Sequence, residues 1–504
     1  MATSLKAQKW NPVRGYDDTS PPQDVRLDMA SNLLNIERTD RGVKKRGGIE
    51  VSLSSAVSAS ADILHQDTFD LSDGTTYEVF FDSNGKGYYQ SDPTQFIEGF
   101  ASGEPVYTEQ FLDTLIIAQG VTAMRTWDGT STGTISASPK GKYIATHLEK
   151  LWTAGIDGQL SLVSVSTTGD FNTWSGDGTA DINISQNDGQ EITGLAVFRN
   201  DMIVFKENSI YKIIGFTSTT FQVINVAKNI GCTDHRTIRN TGDFLIFAYL
   251  DGVYIFDGQS AKKISAYQDD TWSGLNRTRF DFFDSTIMPD AKMYLLTVPT
   301  GSGTTNSKIL TYYYDDIFQD DTGNVHLPCF KWEGIEASSL HASRTGSTNS
   351  EILYLGGYLG QIYKQSTEES DLGVAIETFV DSPLRSDSSI AQTKNQRRMY
   401  IPMVFNVGTV NVYYNYLDND TDWTLAEAIE GEGGIVGDGI GVDFEIGVSS
   451  IGSGGGGSDI FRVNFNGVQA RRIKTRISQT SASRTWEING AMEFYDKFRG
   501  HKDG

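Results

Sequence analysis

Leu245-Ile-Phe-Ala-Tyr-Leu-Asp-Gly-Val-Tyr-Ile-Phe256 reads as a β-hairpin: an apolar strand, a tight turn at Asp251-Gly252, and a second apolar strand that ends on an aromatic ring. The same unit recurs along the chain. It is found at Tyr77-Glu-Val-Phe-Phe with Gly87-Tyr-Tyr, at Leu115-Ile-Ile-Ala with Met124-Arg-Thr-Trp, and at Leu151-Trp-Thr-Ala with Leu160-Ser-Leu-Val. Further copies follow at Met202-Ile-Val-Phe with Ile210-Tyr-Lys-Ile-Ile, at Met293-Tyr-Leu-Leu with Ile309-Leu-Thr-Tyr, and at Ile352-Leu-Tyr-Leu with Gln361-Ile-Tyr. Successive first strands begin 36 to 59 residues apart, close to the ~40–50 residues of the better-known propeller repeats. A single small sheet cannot bury both faces, so radial stacking of such sheets supplies the missing cover. The expected fold is therefore all-β: a β-propeller of six or seven blades over residues 55–370, the count turning on whether strands from both termini complete one blade. Packing of the same hairpins into two sandwiches is the alternative arrangement.

The rest of the chain agrees with the all-β class. Glycine is abundant at 52 residues, tyrosine and phenylalanine are plentiful, and helix-periodic stretches longer than a turn or two are almost absent. After Gln365 the pattern changes. A polar segment from Ser366 leads to long apolar–polar alternations at Arg397-Arg-Met-Tyr-Ile-Pro-Met-Val-Phe and Val410-Asn-Val-Tyr-Tyr, then at Phe461-Arg-Val-Asn-Phe and on to Ala491-Met-Glu-Phe. We expect residues 1–54 to form an N-terminal arm and platform strand, and residues 371–504 a C-terminal β-sandwich interrupted by a Gly-rich loop at 431–457. Its run Gly454-Gly-Gly-Gly is too flexible for a core.

Composition narrows the function classes. The 504 residues need no disulfide staples, and Cys232 and Cys329 lie in unrelated contexts without ligand spacing, as expected of buried thiols. The N-terminus lacks an apolar signal region and no stretch approaches the ~20 apolar residues of a bilayer span; the expectation is a protein made soluble in a cytoplasm, with no membrane segment. A net charge of −22 opposes wrapping of nucleic acid, which requires clustered cations facing phosphates. Such charge keeps an abundant protein soluble, and it would also let DNA slide past without sticking.

Residues suited to chemistry are scattered. Ser166-Thr-Thr-Gly-Asp-Phe-Asn-Thr-Trp174 approaches the Ser-x-Asp-x-Gly-x-x-x-Trp turn of sialidase-like propellers, but Thr168 replaces the Asp, the Gly is misplaced, and the motif occurs once. Trp174 is read as a packing anchor. Asp315, Asp316, Asp320 and Asp321 fall in a turn-like stretch where carboxylates ordinarily face solvent, although glycoside hydrolysis needs only two facing carboxylates. Asp418-Asn-Asp-Thr-Asp422 has the odd-position carboxylates of a calcium loop, yet Trp423 and Ile429 stand where Gly and Glu belong. No Gly-x-Ser-x-Gly elbow accompanies the six histidines, and no phosphate-cradling Gly loop is placed between a strand and a helix. No catalytic, cofactor-binding or metal-binding residue is therefore assigned, and no cofactor is expected.

Basic clusters stand out against the acidic background: Lys44, Lys45 and Arg46, then Arg472, Lys474 and Arg476, extended by Lys394, Arg397 and Arg398. Alternation puts Arg472, Lys474 and Arg476 on one face of a strand, with Ile473 and Ile477 on the other. One reading is a solvated face. The other is a docking stripe for the carboxylates of a neighbouring subunit.

The stretch Ser31-Asn-Leu-Leu-Asn-Ile-Glu-Arg-Thr-Asp-Arg-Gly-Val-Lys-Lys-Arg-Gly-Gly48 resembles the opening of tail nozzle, or tail-stabilisation, proteins of short-tailed bacteriophages, with Gly47 where that family usually has Pro. Leu151-Trp-Thr-Ala-Gly with Val165-Ser-Thr-Thr-Gly-Asp-Phe-Asn-Thr-Trp is similar to its strand-plus-Trp blade. Asn229-Ile-Gly-Cys-Thr-Asp-His-Arg-Thr-Ile, leading into Phe244-Leu-Ile-Phe-Ala and Gly252-Val-Tyr-Ile-Phe-Asp-Gly, resembles an internal blade of the same family. The likeness spans residues 25–265. It implies a non-enzymatic virion tail protein, assembled in the host cytoplasm, that forms a homohexameric ring below the portal and its adaptor. Such a ring contacts tail fibres or spikes and lets genomic DNA pass without sequence-specific binding. If the loop carrying Gly431, Gly454 and Gly457 points into the lumen it would constrict the channel; an outward-facing loop fits the sequence equally well. The rival reading is a carbohydrate-binding or sialidase-like propeller acting on host-surface glycans. A scaffold propeller of cellular complexes is disfavoured because the blades lack a Trp-Asp repeat.

Overall fold

The computed structural model of the chain describes residues 5–53, 55–58, 60–90, 92–344, 350–385, 394–404, 408–416, 422–431, 459–470, 472–482 and 485–498. Six of the seven hairpins read from the sequence form the middle of a four-stranded antiparallel sheet, and the seventh, at Ile352 and Gln361, lies in a larger sheet. In the blade spanning residues 239–263, Leu245–Tyr249 pairs with Gly252–Phe256, and every residue of both strands is buried. Five further sheets follow the same meander over residues 63–98, 107–134, 143–183, 192–228 and 284–333. The chain is thus an all-β propeller with six blades of contiguous sequence. Among the described residues helices are confined to short turns such as Asp269–Ser273.

The ring is closed by a composite sheet. Ser339–Ser343, Ile352–Gly356 and Ile362–Gln365 supply three strands, and Ile49–Val51 from the N-terminal segment pairs with Ile362–Gln365 as the fourth. This sheet lies between the last contiguous blade and the first. Leu340 N donates to Asp284 Oδ2 of the last at 2.7 Å. Ser338 and Ser339 hydroxyls donate to Ile63 O of the first at 2.7 and 2.6 Å, and Gln66 Nε2 donates to Ser339 Oγ at 3.0 Å. Side-chain hydrogen bonds across a buried seam fix its register, because each group would be costly to leave unpaired there.

Cores lie between blades, as radial stacking demands. Phe69, Phe81 and Val79 of the first blade pack with Leu115, Ile117 and Trp127 of the second. Leu151, Trp152 and Val163 of the third blade share a core with Leu195 and Val204 of the fourth, and Phe205 of the fourth packs with Phe247 and Phe256 of the fifth.

Strands on either side of the expected boundaries at 54 and 371 pair with one another. Leu5–Trp10 pairs with Met492–Phe498, which pairs with Lys394–Val404, and Val43–Lys45 reaches the same sheet through Glu487–Ile488. Asp459–Ala470 lies on the other side of Lys394–Val404. In the adjoining sheet, Val374–Asp381 sits between Asn32–Leu34 and Lys474–Ser481, followed by Gly408–Asn415 and Thr424–Gly431. Met399, Ile401, Val412, Ile477, Trp486 and Phe494 of these two sheets are buried in one core together with Leu33 and Val43. Gly431 ends a strand opposite Gly408; the loop expected after it, with Gly454 and Gly457, lies outside the described residues, as does most of the Asp418–Asp422 turn. No helix among the described residues is long and apolar enough to cross a membrane.

Candidate functional site

The first basic cluster does not present a uniform charge to a neighbour. Val43–Lys45 alternates so that Lys44 leans outward, 3.6 Å from Glu37 Oε2, while Lys45 turns inward. Lys45 Nζ donates to the carbonyls of Glu369 and Ser481, both at 2.7 Å, and burial pushes its pKa down to about 8. Arg46 is 2 % exposed. Its Nη1 donates to Asp371 Oδ1 at 2.8 Å, its Nη2 to Asp371 Oδ2, and its Nε to Asn35 Oδ1 at 3.0 Å. These bonds tie the N-terminal segment to the stretch that leaves the closing sheet. Lys45 and Arg46, read from the sequence as interface candidates, thus direct these donors into their own chain. A cleft of about 450 Å³ lies beside this junction, bounded by Glu37, Lys44, Lys45, Arg46, Glu369 and Glu487 among others. Both signs of charge line it, so it selects neither an anion nor a cation.

The second basic cluster divides. Asp381 is fully buried and receives Arg476 in a two-point grip, Nε to Oδ1 at 2.7 Å and Nη2 to Oδ2 at 2.8 Å. Arg476 also stacks over Trp423 and Phe379, 4.3 and 4.2 Å from their ring centres. Lys474 is buried, with Nζ 3.9 Å from Asp381 Oδ2. Lys474 and Arg476, read from the sequence as part of a docking stripe, therefore meet a carboxylate of their own chain, and Arg472 is half-buried beside them. Arg397 and Arg398 remain exposed on Lys394–Val404, the strand that Lys394 opens, and no carboxylate pairs with either among the described residues.

Two carboxylates of the acidic turn are paired with arginines in the same manner. Asp315 and Asp316 meet Arg38 at 2.8 and 3.7 Å, and Asp316 also meets Arg14 at 3.5 Å. Asp320 Oδ2 lies 3.0 Å from His326 Nε2. Trp174 is half-buried against the core of its blade and donates Nε1 to Phe171 O at 2.8 Å, the geometry of a packing anchor. Both cysteines are buried thiols, and burial raises the pKa of Cys232 to about 12, so neither is a nucleophile at neutral pH.

Sequence reasoning missed a polar cluster around the propeller axis, where the first strands of successive blades converge. Thr108 Oγ1 donates to Asp67 Oδ2 at 2.5 Å and lies 2.6 Å from His65 Nε2. Thr68 Oγ1 lies 2.7 Å from His341 Nε2, and Ser343 Oγ donates to Glu78 Oε1 at 2.6 Å. Tyr107 and Tyr143, from the second and third blades, meet the His235 ring at 5.3 and 5.2 Å between centres. Burial pushes His65 down to about 4 and His235 to about 3, and raises Glu78 and Glu109 to about 7 and Asp284 to about 6. Perturbed pairs of this kind occur at active sites and equally in structural networks. Here His65, Asp67, Thr68, Glu78, Glu109 and Asp284 hydrogen-bond groups of neighbouring blades, while Tyr107 and Tyr143 reach His235 by ring contact and the Tyr107 hydroxyl is buried without a hydrogen-bond partner among the described residues. No group of three or more metal-ligating side chains is present among the described residues.

No known family profile matches the chain, and no curated protein matches it. Similar solved structures include BBS1N in complex with ARL6DN, at 12 % identity over 65 % of this chain and 99 % of that one, TM-score 0.40. The N-terminal domain of Nup159 matches at 11 % over 66 % and 97 %, TM-score 0.39. The Pan2 WD40 domain of Neurospora crassa matches at 10 % over 64 % and 94 %, TM-score 0.37. Likeness at this level carries no functional argument.

Proposed function

We propose that the chain is a structural, non-enzymatic subunit of the tail nozzle of a short-tailed bacteriophage. Six copies form a ring that extends the portal–adaptor channel, retains the genome and lets it pass at ejection. In this reading the two terminal sheets are the C-terminal β-sandwich and the N-terminal segment its arm. The observation that carries the proposal is the role of the Asn32–Gly48 stretch. This segment, on which the family resemblance opens, locks the closing sheet of the propeller through Arg46 and Asp371 and leads directly into the strand Ile49–Val51.

The axial cluster supports a path for DNA between copies. Side chains from opposite blades meet at the axis at ring-to-ring distances near 5 Å, so a duplex ~20 Å across cannot thread one propeller, and a channel must be built by several subunits around a shared axis. The net charge of −22 per copy gives such a channel a wall that repels phosphate.

The test is the native mass and negative-stain appearance of the purified protein, alone and with portal–adaptor complexes. Rings with a central hole, formed on the adaptor, support the nozzle. A stable monomer that never joins the adaptor and instead binds or cleaves glycans on an array overturns it in favour of the carbohydrate-acting propeller.

A further inference from the structure

Charge is segregated along this chain. Residues 151–198 carry six carboxylates and no lysine or arginine, whereas residues 460–486 carry six lysines and arginines and no carboxylate, and residues 388–417 add three more cations and again no acid. The acidic stretch is most of the third blade and the loop after it. Asp157, Asp177, Asp181 and Glu191 are exposed there, and among the described residues only Asp188 of the six acids meets a cation, Lys206 at 2.6 Å.

From these basic stretches Arg397, Arg398 and Arg462 lie exposed on one terminal sheet, whereas Lys474 and Arg476 belong to the adjoining sheet and face Asp381. Strand register sets Tyr400 opposite Arg462, Arg398 opposite Asn464 on one side and Tyr495 on the other. Cross-strand partners share a face, and Met399, Ile401, Val463 and Phe494 fill the other face as core. Arg397 sits at the bulge between Gln396 and Arg398 and is also exposed. Tyr400 and Tyr495 meet edge to face at 5.3 Å, and the carboxylate on this face, Glu493, is already held by Lys9 at 3.1 Å. Arg398 and Arg462 lie without a carboxylate partner among the described residues. Exposed arginines beside aromatic rings form the composition of a protein interface core.

The geometry points to a head-to-tail contact between copies: the Arg397, Arg398 and Arg462 face of one subunit docks on the acidic third blade of the next. A second copy is the occupant that charge complementarity selects, since the same chain carries both faces and its net charge otherwise drives copies apart. Because the two faces differ, the contact is heterologous, and repeated contacts of this type close into a ring when the rotation between copies closes. This inference rests on the proposed assembly and names the surfaces that make it.

The experiment uses the full chain, with assembly on portal–adaptor complexes followed by sedimentation and electron microscopy. The triple variant Arg397→Glu, Arg398→Glu, Arg462→Glu is expected to lose ring formation, with association at least about tenfold weaker. The triple variant Asp157→Lys, Asp177→Lys, Asp181→Lys is expected to fail similarly alone, and an equimolar mixture of the two to regain mixed pairs. All three positions in each set are exposed, and thermal melts of each variant check its fold. Wild-type association is expected to weaken from about 0.1 to 1 M salt as the screening length falls from about 10 to 3 Å. Rings that form normally from either variant overturn the docking contact and leave the nozzle reading standing. Wild-type protein that never associates overturns both. Loss of duplex DNA binding by the arginine variant, with rings unaffected, reassigns the face to nucleic acid and also overturns the contact.

Discussion

Asp381 and Arg476 form a two-point ion pair in which the carboxylate is entirely removed from solvent and the guanidinium is sandwiched by Trp423 and Phe379. The pair crosses from Val374–Asp381 to Lys474–Ser481, two strands that lie 95 residues apart in sequence. Replacing only the acid removes the carboxylate that Arg476 grips at two points. Asp381→Ala is expected to destabilise the protein by about 3–5 kcal/mol in urea unfolding, and Asp381→Leu combined with Arg476→Met to recover much of that loss, because desolvation is the dominant cost of a broken buried pair.

The basic run near the N-terminus separates a structural cation from a surface one. Arg46→Met removes the grip on Asp371 and the bond to Asn35, and should cost several kcal/mol, about the scale of a broken buried pair, with faster proteolytic release of the N-terminal segment. Lys44→Met should change stability by less than about 0.5 kcal/mol, as for an exposed residue. Equal effects from the two would contradict the assignment.

The seam that closes the ring tolerates no added carbon. A Cβ at Gly356 would lie 2.2 Å from Ser339 Oγ and 2.9 Å from Ile63 O. Gly356→Ala is expected to lower stability by about 1–3 kcal/mol through overpacking, with increased hydrogen exchange at Ile63–Asp70 and Ser339–Ser343. Gly103→Ala, a site with nothing within 4 Å but a positive φ of 81°, should be milder and leave that seam's exchange unchanged.

The axial cluster makes stability depend on pH from both sides. Glu78 and Glu109 rise from 4.5 to about 7 on folding because burial disfavours the carboxylate. Folded protein holds their protons more tightly, so their contribution is full below about pH 4.5 and is lost as pH rises through 7. His65 falls from 6.5 to about 4, so its contribution is full above about pH 6.5 and is lost as pH falls through 4. The double variant Glu78→Gln, Glu109→Gln should therefore flatten the fall in Tm of the wild type between about pH 5 and 8 without altering its fall below pH 5. His65→Asn should flatten only the acid limb. A thermal-shift series across this range checks both.

The middle strands were most legible where they are buried on both faces and so read as unbroken apolar runs; Leu245–Tyr249 and Gly252–Phe256 are the clearest case. The inner and outer strands were not. Ile63–Asp70 carries His65, Gln66, Asp67 and Thr68 toward the axis and the closing seam, a composition that sequence alone reads as a loop. Outer strands such as Thr132–Thr134 are short, exposed and polar.

The sequence by itself determined the all-β class, the spacing of the repeats, the buried state of the two thiols and the acidity of the whole, since each follows from local pattern or a sum over residues. The tertiary structure alone decided which charges are available. Lys45, Arg46, Lys474 and Arg476 look alike in the sequence to Arg397 and Arg398, but the first four find carboxylate or carbonyl partners brought from tens or hundreds of residues away, while the last two face outward. Whether a cation holds a fold together or waits for a partner depends on what the chain folds against it, and that is a property of long-range pairing rather than of neighbours in sequence.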